Sequence, residues 1–91
     1  MEFPQYQIWH DLTETVFYPV IVDGKKLRCR ISMEALSDRF DVDLRADNLS
    51  ETMIEAFIGN RKLIEQLTTE KIQRNQFEPD GTIMVRSDDL Q

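Results

Sequence analysis

The sequence predicts an α+β fold: a small antiparallel sheet built on a central β-hairpin, with about three helices packed on one face. Three observations carry this. An Asp23-Gly24 pair separates two runs of alternating residues, which is the signature of strands joined by a two-residue type I′ turn. Apolar residues then recur at helical spacing in three stretches between Met33 and Ile72. A chain of 91 residues buries a modest share of its surface, so one layer of helices on one sheet is about what it can support.

The N-terminal residues 1–14 carry Phe3, Tyr6, Ile8 and Trp9 among polar residues without a clear period, and an extended piece is expected near residues 7–10. The hairpin follows, and its turn fixes its register. Counting outward from Asp23-Gly24, Val22 faces Lys25, Val20 faces Leu27, Pro19 faces Arg28, Tyr18 faces Cys29 and Val16 faces Ile31. Alternation then puts Val16, Tyr18, Val20, Leu27, Cys29 and Ile31 on one side of the ribbon. The other side is mixed, with Phe17, Pro19 and Ile21 beside Lys26, Arg28 and Arg30. Pro19 lacks an N–H, so the outer edge of the first strand is expected to be free, bulged or only briefly paired.

Ser32 caps a helix over Met33–Phe40, where Met33, Leu36 and Phe40 form a stripe and Glu34 sits near the positive helix end. The charged link 41–48 reads as loop. Asn48 or Ser50 caps a second helix with Leu49, Met53, Ile54, Phe57 and Ile58 on one face. An unbroken helix through residue 75 would run on the order of 39 Å, too long for a domain whose radius of gyration should be about 12 Å. A break is therefore expected, with Gly59 in the left-handed position and Asn60 capping a third helix whose Leu63, Ile64, Leu67 and Ile72 face inward. A Glu78-Pro79-Asp80-Gly81 turn and a strand over residues 82–86, beside residues 26–32, complete the fold. Residues 87–91 read as a frayed acidic tail of a single domain spanning residues 1–91.

The residues Pro19, Val22, Gly24, Leu27, Cys29, Ile31, Ser32, Glu34, Leu36, Arg39 and Phe40 stand at a spacing that resembles the DUF1488 family of small bacterial proteins. Phe57 and Arg61 extend the likeness in a general way. Tyr18 and Asp23 are close variants of the phenylalanine and asparagine of that family, and the 41–48 link is longer than in its short members. The resemblance implies a compact cytoplasmic α+β domain. It implies no catalytic residue, since the family has no established activity.

Composition narrows the function classes. A net charge of −6 argues against general affinity for nucleic acid or an anionic membrane, both of which need clustered Lys and Arg. The longest apolar run, residues 17–22, is too short to span a bilayer, the N-terminus lacks the pattern of a signal peptide, and one cysteine permits no intrachain disulfide. These features point to the cytoplasm. With three glycines, no Walker motif, no GxGxxG and no zinc spacing, no cofactor or metal is expected. Asp41, Asp43 and Asp47 lack the glycine and glutamate of a calcium loop at Ala46 and Thr52.

His10 beside Asp11 has the chemistry of a base, but no nucleophile or second ligand stands near it in sequence. Cys29 falls on the core face, where a thiol behaves as a small inert apolar group. No catalytic residue is assigned. The leading expectation is a non-enzymatic binding or adaptor module that meets a protein partner, or a second copy of itself, through Phe17, Ile21, Lys26, Arg28 and Arg30. The alternative is a small ligand-binding protein or enzyme with a cavity between sheet and helices near His10, Tyr18 and Arg39. Whether the N-terminal segment covers the mixed face of the hairpin is left open by the sequence.

Overall fold

The computed structural model describes residues 1–40, 42 and 47–90. They form β1 (Ile8–His10), β2 (Thr15–Val22), β3 (Lys25–Ser32), α1 (Met33–Phe40), α2 (Leu49–Gly59), α3 (Arg61–Gln73), β4 (Ile83–Val85) and a 3-10 turn at Ser87–Leu90. The strands make one sheet in the order β1-β2-β3-β4. In the 41–48 link, residues 41 and 43–46 lie outside the described residues, and with them two of the three aspartates considered as a calcium loop.

β2 and β3 pair from Thr15↔Ser32 to Val22↔Lys25, with Tyr18↔Cys29 and Pro19↔Arg28 among the pairs. Asp23 and Gly24 have φ of 51° and 79°, the two positive values that a type I′ turn requires. Turn geometry and apolar alternation therefore select the same register. The even-numbered side chains of β2 and the odd-numbered ones of β3 face the helices. Val16, Tyr18, Val20, Cys29 and Ile31 are buried there together with Ala35, Leu36, Met53, Phe57, Ile64, Ile83 and Val85. Leu27, Phe40, Ile54 and Ile72 close the margin of this core as half-buried residues.

Pro19 shapes the outer edge of the hairpin. β1 pairs with β2 only at Ile8↔Phe17, Trp9↔Val16 and His10↔Thr15. Beyond Pro19 the N-terminal segment returns once, where Glu2 and Ile21 exchange N–H···O bonds of 2.9 and 2.8 Å. Residues 3–7 leave the ladder opposite the proline, which has no donor to offer them. The edge is thus clasped on both sides of Pro19 and open at it.

The helices start where their caps lie. Ser32 Oγ accepts the Ala35 N–H at 3.0 Å, and Asn48 Oδ1 accepts the Glu51 N–H at 3.3 Å while its amide donates to Glu51 Oε2 at 2.8 Å. This reciprocal pairing follows the logic of a capping box. The break between α2 and α3 falls at Asn60, and the radius of gyration is 12.6 Å. Its mechanism differs from the expected one. Gly59 is the last helical residue and has no positive φ, while Asn60, at φ −123°, makes the break with its own backbone. The Asn60 side chain caps nothing on α3 and instead donates back to the Ala56 carbonyl at 2.8 Å.

Two further expectations are corrected. β4 lies beside β3 as expected, but parallel to it, through Cys29↔Ile83 and Ile31↔Val85. Alternation of side chains is the same in parallel and antiparallel strands, so the pattern of residues 82–86 carries no direction; the long helical crossover before β4 makes the parallel return feasible. The C-terminal residues expected to fray instead wind into the 3-10 turn. Asp89 accepts from Lys71 Nζ at 2.9 Å and from the Arg86 N–H at 2.8 Å, and Leu90 packs on the core.

The two glycines in question should respond to substitution with opposite signs. Gly24→Val should destabilise by about 1–3 kcal/mol, the cost of a side chain held at positive φ, since a Cβ there meets no neighbour and backbone strain is the whole effect. Gly59→Ala should stabilise by about 0.5–1 kcal/mol, as expected of a helical glycine with open space around its Cα. Urea unfolding of both variants measures the two shifts, and a destabilised Gly59→Ala would restore the left-handed assignment.

Candidate functional site on the open sheet face

Because α1, α2 and α3 all pack on one side of the sheet, the opposite side is where unassigned chemistry has to be sought. The N-terminal segment does not fold across it. It adds β1 as an edge strand, and pairing sends Trp9 to the core side with Val16, while Ile8 and His10 stand on the open side with Phe17 and Thr15. Phe3 also packs on the core. Ile8 stays 48% exposed, so it contributes to the open face rather than burying it.

Phe17 is the centre of that face. His10 stacks on its ring with centroids 4.9 Å apart, and the Arg28 and Arg30 guanidinium carbons each lie 6.0 Å from the ring centroid. At that distance each cation is within reach of the attraction of the ring quadrupole. Phe17 and Ile21 are half-buried, Lys26 and Arg28 exposed, and Arg30 half-buried with its Nε enclosed and without a hydrogen-bond partner. Among the described residues neither Arg28 nor Arg30 forms an ion pair. The five residues singled out in the sequence thus share one surface, with Arg30 directly opposite Phe17 and Arg28 opposite Pro19 across β2 and β3.

Beside Phe17 lies a groove of about 530 Å³, lined by residues 17–19 of β2 and 26–28 of β3 together with Tyr6 and the turn at residues 80–82. Asp80 is the acid in its wall. That carboxylate already accepts the Thr82 N–H at 3.0 Å and the Thr82 hydroxyl at 2.6 Å, and these bonds hold its pKa below the ordinary aspartate value. The groove was not legible from the sequence. Tyr6 reaches it only because the chain bulges at Pro19, and the turn at residues 80–82 only because β4 runs parallel.

The residues of the alternative site do not converge. His10 is on the open side, Tyr18 is buried on the opposite side against α3, and Arg39 is exposed at the end of α1. His10 Nδ1 bonds Thr13 Oγ1 at 2.9 Å, and Asp11 is occupied by the Trp9 indole N–H at 2.5 Å, so no His-Asp pair forms. Cys29 faces the core, across the sheet from His10. Burial pushes its thiol up to about 12, the reverse of what a nucleophilic thiolate needs. Among the described residues no group of three His, Cys, Asp or Glu side chains is arranged to hold a metal ion.

Residues 1–85 match the sequence model of DUF1488, described as a protein of unknown function. The chain belongs to the DUF1488 family. The uncharacterised protein YrdB of Escherichia coli is 28% identical over 85 residues, covering 93% of this chain and 94% of its own, and the Shigella flexneri protein of the same name matches equally. A DUF1488 crystal structure from Shewanella loihica, also of a protein of unknown function, superposes with a TM-score of 0.81 at 22% identity, over 91% of this chain and 88% of that one. The resemblance read from the hairpin and first helix thus extends over most of the chain. The shared fold of DUF1488 is the α+β arrangement described above, and none of these relatives carries an assigned activity. Among the described residues no helix is long and apolar enough to cross a membrane.

The core side carries one polar feature. Tyr18 Oη and Thr68 Oγ1 lie 2.6 Å apart, and Thr68 donates to the Ile64 carbonyl at 2.7 Å, so the tyrosine is the donor of the pair. Burial raises the Tyr18 pKa far above its ordinary value. Thr68→Val should cost about 1–3 kcal/mol by leaving a buried hydroxyl unpaired, and Tyr18→Phe less, about 0.5–1.5 kcal/mol, because Thr68 keeps its other bond. Denaturant titration of the two variants tests that order. Cys29 should resist iodoacetamide at pH 8 in the folded protein and react at the ordinary thiol rate in urea; rapid alkylation of the native chain would contradict an inert thiol.

Proposed function

We propose that this protein is a non-enzymatic cytoplasmic binding module that receives an acidic protein partner on the open face of its sheet. The observation that carries the reading is the cluster of Phe17, Arg28 and Arg30: an aromatic ring flanked by two guanidinium groups that meet no carboxylate among the described residues. Interfaces are enriched in aromatic residues and arginine, and such anchors carry a large share of binding energy. Ile8, Ile21 and Met84 extend the apolar surface around it. The single cysteine, buried and unpaired, suits a reducing compartment.

Self-association through the same surface is the less favoured form of this reading. A two-fold contact brings a patch against its own copy, and Lys26, Arg28 and Arg30 would then face like charges. A carboxylate-bearing partner supplies the complementary charge without that penalty.

The double variant Arg28→Glu, Arg30→Glu should abolish capture of a partner from bacterial lysate by the immobilised chain and leave the melting temperature within a few degrees of wild type. Undiminished capture of the same protein by the double variant would reject the face as the binding surface.

A further inference from the structure

The groove beside Phe17 says more about that partner than the face alone does. It exists because Pro19 has no N–H to hold the N-terminal segment. Residues 3–7 swing away between the Ile8 and Glu2 clasps, the chain kinks where the Tyr6 N–H bonds the Pro4 carbonyl at 2.8 Å, and Tyr6 is left 49% exposed in the groove's lining. On the β3 side β4 stops at Ile83, opposite Cys29, so no strand lies beside Lys26 and Arg28. The lining is therefore mixed, aromatic and apolar residues standing beside two cations and the Asp80 carboxylate. Its volume of about 530 Å³ lies within the range of about 300–1,000 Å³ typical of clefts that seat a ligand.

Resting on the reading given above, we propose that this groove seats one large apolar side chain, best an aromatic one, from an acidic protein segment, with Lys26 and Arg28 taking carboxylates next to it in that segment. Charge complementarity selects the occupant. Asp80, the acid in the wall, gives one oxygen to Thr82 and keeps its charge, so Lys26 and Arg28 leave the lining with an excess of one positive charge that an incoming chain meets. Arg28 lines the groove with its guanidinium carbon 6.0 Å from the Phe17 ring centroid, and its fork has the geometry to take a carboxylate in two hydrogen bonds. Arg30 lies outside the groove lining and serves the wider face, so the two levels of recognition are separable.

Selection of random twelve-residue peptides displayed on phage against the intact chain tests this. Enriched sequences should carry a tryptophan, phenylalanine or tyrosine with at least two Asp or Glu within two positions. A labelled peptide of that consensus should bind in fluorescence anisotropy at least tenfold more tightly than its counterpart with serine in place of the aromatic residue. Lys26→Glu should weaken the consensus peptide tenfold or more, and Tyr6→Ala should remove most of the preference for the aromatic peptide while the circular dichroism spectrum is retained. Arg30→Glu should change its affinity less than threefold. Enrichment of neutral or basic sequences, no enrichment at all, or equal binding of the aromatic and serine peptides overturns the proposal. So does a concentration-dependent dimer in sedimentation that Lys26→Glu dissociates, since a second copy would then be the occupant. If Tyr6→Ala and Lys26→Glu leave lysate capture intact while the Arg28, Arg30 double variant abolishes it, the groove assignment fails and the wider face stands; if all three capture normally, both fail.

Discussion

The left-handed Asp23-Gly24 turn is the constraint from which the rest of the structure follows. A type I′ turn admits one register, and in that register the apolar residues of β2 and β3 converge on one side. A slip of one residue on β3 would exchange Leu27, Cys29 and Ile31 for Lys26, Arg28 and Arg30 on the helix side. Three cations would then need partners inside an apolar core whose polar pair among the described residues, Tyr18 and Thr68, is already joined. The register is thus enforced twice, by backbone conformation at the turn and by the charge that the core refuses.

Pro19 acts on the other edge of the same strand. An eight-residue β2 with a free edge would be a template for another chain, and the protein covers that edge with two short clasps instead of one long strand. The proline sits between them, at a pair with Arg28 that needs no N–H from it on the β3 side. Its missing donor is therefore felt only by the N-terminal segment, which bulges there. One residue so blunts the edge and opens the groove.

Much of this was legible in the sequence wherever a local rule and the global packing agreed. The hairpin register, the cap at Ser32, the cap at Asn48 and the interruption near Gly59 are cases where a side chain or a turn states its own geometry. The failures share a physical cause. Alternation in residues 82–86 does not distinguish parallel from antiparallel pairing, a glycine at a helix end is only one of several ways to stop it, and an acidic tail says nothing of the Lys71 that binds it. Thr68 is the same case within α3. It is a polar residue at an inward position, and its partner Tyr18 lies fifty residues away, so no sequence window holds both. The candidate surface was legible as a face, because alternation alone puts Phe17, Ile21, Lys26, Arg28 and Arg30 together. Its groove was not, because Tyr6 and Thr82 reach it through tertiary topology.

A chain with a net charge of −6 that nevertheless keeps three cations on an open sheet face has segregated its charge rather than diluted it. Elsewhere the arrangement differs: Arg86 is bound by both oxygens of Glu78, Lys71 by Asp89, and Arg61 by Glu65 and Gln7. Arg86 with Glu78, Lys71 with Asp89 and Arg61 with Gln7 tie separate segments together, while Arg61 with Glu65 lies within α3. Among the described residues Arg28 and Arg30 form no ion pair. Their side chains instead lie over Phe17, a contact that keeps guanidinium groups ordered without neutralising them. Charges are screened over about 8–10 Å in physiological salt, so the three cations of the sheet face count chiefly at contact. For the acidic partner proposed above, such a face supplies attraction at contact and so favours one docking orientation.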